Sequence, residues 1–265
     1  MREACPQYDT TRLTEKLRER LQEMTAASQA LSSNLAGNEK VANYLAILDR
    51  AICTQLCLVR QLELGQQLYT QSEVRVIFAP MDLVELGRDV MKKADALTRP
   101  LLGIKAEFSS SLAALPTQAD RAVLEKMLLL FLSNSVRAIG RNGTIRLELE
   151  QQRDQAVFTM TDTGGGLDPD VLADLFDPLA EPEAPARGLL LAQRIAKLHG
   201  GTLVVGNTEA DGARLAVSLP IQEWTGGVLR SPSIPMDNAG GWDPALVALS
   251  DCLPLEAFLP DRGKK

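Results

Sequence analysis

The stretch Gln155-Ala156-Val157-Phe158-Thr159-Met160-Thr161-Asp162-Thr163-Gly164-Gly165-Gly166 decides the fold. Its first part alternates, with Val157 on one face and Phe158 and Met160 on the other, as a half-buried strand requires. It then runs directly into a carboxylate and three glycines. A carboxylate at a strand end can accept from an exocyclic amine such as that of adenine. Glycines let a ligand approach the backbone closely.

Working outward, Gly143 to Gln151 alternates as a partner strand through Ile145, Leu147 and Leu149. A long helical pattern from about Ala119 to Ile139 precedes it. Further upstream, Val74 to Phe78 and Ile104 to Phe108 read as short strands around a helix at Met81 to Thr98. Downstream, a helix from about Gly188 to His199 leads through Gly200-Gly201 into a strand at Leu203 to Val205. Ala213 to Leu219 supplies the last strand. Mixed strands with three substantial helices predict a two-layer α/β sandwich.

Residues 1–73 follow a different period. Leu13, Leu17, Leu21, Met24, Ser28, Leu31 and Leu35 recur at helical spacing, and Gly37-Asn38 breaks the pattern. A second helix carries Val41, Leu45, Leu48, Ile52, Val59 and Leu62, with Gln55 in the seam and a parallel row at Ile47, Ala51 and Leu58. Two such stripes cannot both be buried within one antiparallel hairpin. The pattern therefore predicts a homodimer through residues 10–69, packed as a four-helix bundle; the alternative is a hairpin folded back on its own second domain. Residues 70–73 read as a linker. Residues 222–265 begin as a Gly-, Pro- and Ser-rich tether and end in an apolar tail (Leu246, Val247, Leu249, Leu253, Leu255, Phe258). The tail is expected either to dock on the α/β domain or on a dimer mate, or to be a frayed end.

Composition narrows the function. The net charge of −6 argues against a general nucleic-acid or anionic-membrane binder. No run reads as long and apolar enough for a membrane span, and the first dozen residues are too polar for a signal peptide. Cys5, Cys53, Cys57 and Cys252 follow no metal or disulfide spacing, which fits a reducing cytoplasm. Cys53 and Cys57, one helical turn apart, read as buried apolar residues.

Three further motifs accompany Asp162-Thr163-Gly164-Gly165-Gly166. Ser133-Asn134-Ser135-Val136-Arg137-Ala138 lies near the end of the long helix, where the Asn134 carbonyl is a hard ligand suited to Mg²⁺ beside phosphates and Arg137 can meet a phosphate. Leu175-Phe176-Asp177-Pro178 follows. Arg187-Gly188-Leu189 then opens a helix whose free amides and dipole favour phosphate.

In this order and spacing the four motifs resemble the Asn box, first glycine box, Phe box and second glycine box of the histidine-kinase-type ATPases, a superfamily that includes gyrase, mismatch-repair and chaperone ATPases. Phe78-Ala79-Pro80-Met81-Asp82-Leu83, Leu115-Pro116-Thr117-Gln118-Ala119-Asp120-Arg121, Ile195-Ala196-Lys197-Leu198-His199-Gly200-Gly201 and Ser218-Leu219-Pro220 are similar to the two-component sensor-kinase branch. The resemblance implies a Bergerat-type ATP-binding fold over residues 74–221, preceded by a dimerising hairpin at 1–73. It implies a nucleotide site of Asn134, Arg137, Asp162, Gly164, Gly166, Phe176, Gly188 and Leu189, holding ATP or ADP with Mg²⁺ on Asn134. A response-regulator-like or other signalling protein is the implied partner.

The sequence also departs from that family. Sensor kinases phosphorylate a histidine on the first helix, and residues 1–73 contain none; the single histidine, His199, stands in a structural context. Leu130 occupies a position where the family carries a polar residue, so water activation there is not expected. Leu190 replaces a glycine and is expected to crowd phosphate. Gly212-Ala213 stands for Gly-Thr, removing a hydroxyl that would orient Asp162. Between the glycine boxes, Asp168, Asp170, Asp174, Asp177, Glu181 and Glu183 face one base, Arg187. These features predict weak nucleotide binding or occupancy by ADP, in a sensor-kinase-like pseudokinase. A kinase acting on a partner in trans and a nucleotide-free scaffold are the alternatives.

Overall fold

Alternate apolar positions build the central sheet. In the computed structural model, described over residues 10–34, 38–69, 76–169, 184–222 and 241–259, five strands hydrogen-bond in one sheet. They are β2 (Ile104–Ser110), β4 (Gly143–Gln152), β5 (Gln155–Asp162), β6 (Thr202–Asn207) and β7 (Ala213–Pro220), in the order β2-β4-β5-β7-β6. Only the β2–β4 pairing is parallel. Ile145, Leu147 and Leu149 of β4, Ala156, Phe158 and Met160 of β5, and Leu215, Val217 and Leu219 of β7 are buried. Helices α3 (Leu83–Leu102), α4 (Arg121–Ile139) and α5 (Ala184–Leu198) supply the other apolar layer, through Leu86 and Val90, Leu124, Leu128 and Phe131, and Ala192 and Ile195. The result is a two-layer α/β sandwich preceded by helices.

Period two also places the key carboxylate. Asp162 has the same parity as Ala156, Phe158 and Met160, so it points inward, toward the helices, although it ends the strand. At the start of β7, Gly212 lets two backbones close: a methyl built on it would stand 1.8 Å from the Asp162 carbonyl oxygen. No larger residue fits there.

The entry to this unit differs from the sequence expectation. Residues 76–78 are not a strand; β1 begins at Ala79 (Ala79–Asp82) and pairs with β3 (Pro116–Ala119) in a separate two-stranded ribbon. The Ile77 N–H donates to the Asp120 side chain, and the Phe78 ring packs at a tilt against His199, which takes this stretch away from strand pairing. Helix α5 starts at Ala184, earlier than Gly188, with Pro185 in its first turn, where a missing N–H costs nothing. Gly188 therefore lies inside the helix rather than at its opening.

The chain divides into two compact units, residues 74–236 and residues 1–73 with 237–265. In the second, α1 (Thr10–Asn34) and α2 (Glu39–Tyr69) run antiparallel, and Asn38 caps the return by accepting from the Val41 N–H at 3.3 Å. Residues Glu39–Glu63 are long and apolar enough to cross a membrane by length and composition, which corrects the reading that no stretch is. A third of its most apolar stretch is buried within the chain, and the segment as a whole carries Glu39, Lys40, Asp49, Arg50, Arg60 and Glu63. Burial, with Asp49 beside it, pushes the Cys53 thiol up to about 12, so this thiol is inert at neutral pH.

The hairpin seam takes Leu45, Ile52 and Val59 of the expected row on α2 but only part of the row on α1. On α1 the buried residues are Thr14, Leu21, Thr25 and Ser28, whereas Leu13, Leu17, Met24 and Leu31 are exposed. Small and polar side chains let α1 approach α2, and the leucine row faces out. The tail also departs from expectation: it packs on its own hairpin. Helix α6 (Pro244–Ala248) and a 3₁₀ turn (Leu255–Phe258) lie on α2, burying Val247, Leu249, Leu253 and Phe258. The Trp242 indole donates to Thr25 Oγ1 at 3.3 Å.

Candidate nucleotide site

Three elements converge on Asp162. Its Oδ1 accepts from the Gly164 N–H at 3.0 Å and from the Ala213 N–H at 3.1 Å. Its Oδ2 accepts from the Ser135 hydroxyl at 2.7 Å. The carboxylate is only 8% exposed and acceptor-only, so any further partner must bring a donor. The expected loss of an orienting hydroxyl at Ala213 is thus offset from the other side, by Ser135 on α4.

The glycine turn after β5 is held on both sides. Thr163 Oγ1 accepts from the Thr144 N–H at 3.0 Å. Asn207 at the end of β6 accepts from the Leu167 N–H at 2.7 Å and returns a bond to the Leu167 carbonyl at 3.2 Å. Gly166 has φ 74°, a left-handed conformation that favours glycine. A methyl on Gly164 would stand 2.9 Å from Ala138 Cβ, so the turn lies directly against α4.

One turn along α4 from Leu130, Asn134 is half-buried, and its Nδ2 is buried with no hydrogen-bond partner among the described residues. It faces Gly188: a methyl built there would sit 3.7 Å from Nδ2 and 3.9 Å from Leu130 Cδ2. A buried amide without a partner costs about 1–3 kcal/mol, an unusual arrangement unless a ligand completes it. The same amide presents Oδ1, the atom suited to Mg²⁺. Among the described residues no cluster of three or more His, Cys, Asp or Glu side chains could hold a metal.

The remaining expected residues fall as follows. Arg137 is exposed in the last turn of α4, and Leu189 is fully buried in the core, leaving its backbone alone to meet a ligand. Leu190 is half-buried. Phe176 and the acidic residues from Asp170 to Glu183 lie outside the described residues. Sequence reasoning missed Ser135 and Asn207. The inward parity of Asp162 was the available signal for the first; the second is a nonlocal clamp that no local pattern marks.

A mixed sheet with its strand-end carboxylate turned into the helix layer, an asparagine on the facing helix and a glycine turn between them define a histidine-kinase-type ATPase domain. Residues 119–223 match the family described as histidine kinase-, DNA gyrase B- and HSP90-like ATPase, and the α/β unit is a GHKL ATPase domain of the two-component histidine-kinase type. Sensor histidine kinase ZraS of Salmonella typhimurium is 36% identical over 121 residues, 44% of this chain and 26% of the relative. ZraS of Klebsiella oxytoca is 32% identical over 177 residues, 66% of this chain and 36% of the relative. The chain thus spans well under half the length of these curated relatives. Among solved structures, full-length ShkA in complex with AMPPNP superposes with a TM-score of 0.64 at 23% identity, over 81% of this chain and 46% of that one. Histidine kinase ThkA in complex with response regulator protein TrrA gives 0.53 at 21% identity, over 80% and 61%. These two structures bear on fold alone.

Proposed function

We propose that this chain is a cytoplasmic, sensor-histidine-kinase-like pseudokinase of bacterial two-component signalling, which binds adenine nucleotide with Mg²⁺ and acts by dimerisation and protein contacts. The observation that carries the nucleotide reading is the pair of unfinished groups in one ATPase-type domain. Asp162 has filled three of its lone pairs and offers the last to a donor such as the adenine amine, while the buried Nδ2 of Asn134 lies opposite Gly188 with no hydrogen-bond partner among the described residues. Arg137, Gly164, Gly166, Phe176 and the Leu189 backbone complete the proposed site. The nucleotide would present a phosphoryl group for transfer; this chain's own residues bind and orient it.

The pseudokinase reading rests on the histidine count. None lies in residues 1–73, and His199 is buried in the ATPase domain. A leucine at position 130, beside Asn134 and Gly188, cannot take a proton from water, which argues against nucleotide hydrolysis as the activity. Dimerisation is supported by the outward rows of the hairpin. Leu17, Met24 and Leu31 recur every seven residues and are exposed, as are Tyr44, Ala51 and Leu58. Heptad spacing on both helices is what a second copy needs to complete a bundle. A response-regulator-like protein is the proposed partner, by analogy with the ThkA complex.

Thermal unfolding of the full chain with Mg-ATP and with Mg-ADP tests the nucleotide reading. A ligand that binds only the folded state at a hundred times its Kd adds about 2.7 kcal/mol, visible as a raised Tm. No shift with either nucleotide at millimolar concentration would replace this reading by the nucleotide-free scaffold.

A further inference from the structure

We infer that Ser135 is a positioning residue that sets purine selection in this site, acting through Asp162; the inference rests on the nucleotide reading above. Ser135 is 1% exposed and projects from α4 one residue after Asn134, so one helix turn aims two polar groups at two ends of the same site. A carboxylate has about four lone-pair sites. The Gly164 and Ala213 amides fill both on Oδ1, and the Ser135 hydroxyl, at 2.7 Å, fills one on Oδ2. One acceptor site is left, on Oδ2, and its direction is set by the hydroxyl that occupies the other.

That single site selects by charge. A 6-amino purine brings N–H to it. A 6-keto purine brings a second acceptor and is repelled, unless a water with two donors can be placed between the two oxygens. With Ser135 in place the carboxylate has no freedom to turn, so the one open site on Oδ2 keeps the direction that suits a direct N–H rather than a longer water bridge. Without the hydroxyl, Oδ2 gains a second open site and the carboxylate keeps only its Oδ1 anchors. Adenine then loses a prepositioned acceptor, while hypoxanthine gains room for a bridging water. The backbone amides cannot compensate, because both already serve Oδ1.

The experiment titrates the full chain and its Ser135→Ala and Ser135→Thr variants with ADP and with inosine diphosphate, after thermal unfolding without ligand has confirmed that each variant folds. Ser135→Ala is expected to weaken ADP about tenfold, the size of one buried hydrogen bond to a charged group, while inosine diphosphate changes less than about twofold or tightens. Ser135→Thr, which keeps the hydroxyl, is expected to restore the preference for ADP. A merely structural role would weaken both nucleotides together; that result, or no change for either, overturns the inference and leaves the nucleotide reading standing. A wild-type chain that binds neither nucleotide overturns both.

Discussion

The Asp120 N–H donates to Nε2 of His199 at 3.3 Å, a bond that joins the start of α4 to the end of α5. An accepting Nε2 carries no proton, so Nδ1 carries it and donates to the Ile195 carbonyl at 2.9 Å. Both ring nitrogens are engaged, the ring is 4% exposed and Phe78 packs against it at a tilt of 57° with centroids 5.4 Å apart. Burial holds the imidazole below its ordinary range, although the Ile195 carbonyl and Asp120 favour the charged form.

His199 is therefore a structural link and not a phosphoryl acceptor, which must present a free nitrogen in line with the transferred group. Incubation with γ-labelled ATP should yield no acid-labile, base-stable label; a label lost in His199→Ala would contradict this. The pH dependence follows from the lowered value. Above the unfolded pKa of about 6.5 both states are neutral and the contribution is complete. As pH falls from there through the folded value, the unfolded chain takes the proton first and stability is lost. His199→Gln, which can donate and accept without titrating, should lower Tm less than wild type between pH 7.5 and 5.5. Equal losses would place the acid sensitivity elsewhere.

The α/β unit was legible in the sequence because its signals are local. Ile145, Leu147 and Leu149 alternate, Phe158 and Met160 mark an inner face, and Asp120 and Gly140 sit at the ends of α4. The site residues Asn134, Asp162 and Gly188 could be picked by motif. The hydroxyl that holds Asp162 was marked only indirectly: the inward parity of Asp162 calls for a donor from the facing helix, but nothing local says that Ser135 supplies it. On the hairpin the repeat marked one row without saying which members face inward: Leu21 and Ser28 of that row are buried together with Thr14 and Thr25 outside it, while Leu13, Leu17, Met24 and Leu31 are exposed. The tail's position depends on a contact between residues more than two hundred apart, Trp242 and Thr25, which no periodicity encodes.

Asp49 lies inside that seam, 6% exposed, accepting from the fully buried Ser28 hydroxyl. Burial raises its carboxyl above the ordinary carboxylate range, and the Ser28 bond only partly opposes this. The group is therefore best accommodated neutral. Its contribution is complete below the unfolded pKa of about 3.9 and is lost as pH rises through the folded value. Asp49→Asn keeps the acceptor for Ser28 and removes the charge, so it should raise Tm at pH 7 and leave it nearly unchanged near pH 3. A lower Tm at pH 7 would show that the charge has a stabilising partner.

The tail behaves as part of the hairpin core. Phe258 is 3% exposed in the 3₁₀ turn on α2, and Leu253 and Val247 beside it are buried. Phe258→Ala should cost about 3–5 kcal/mol of the hairpin unit's stability, the range for a buried aromatic. Limited proteolysis provides the second readout. The wild-type tail should resist cleavage over 241–259, and the variant should lose it quickly. Rapid removal from wild type at every protein concentration would mean that the tail is not held.

Dimerisation is tested best at positions the isolated hairpin does not use. Leu17 is 43% exposed and Leu58 is 45% exposed, and both belong to outward rows of seven-residue period. Leucines left at a wet surface contribute little to the single chain, but burying each against a second copy is worth about 1.5–3 kcal/mol. Leu17→Glu with Leu58→Glu places two charges from each copy in the proposed interface. Dimer affinity should fall at least about a hundredfold, while the circular dichroism spectrum of the monomer stays as it is in wild type. Light scattering across a concentration series measures this directly. A full chain that is monomeric at tens of micromolar, or a double variant that dimerises as tightly as wild type, would rule out these rows as the interface, and the exposed leucines would then need a different partner.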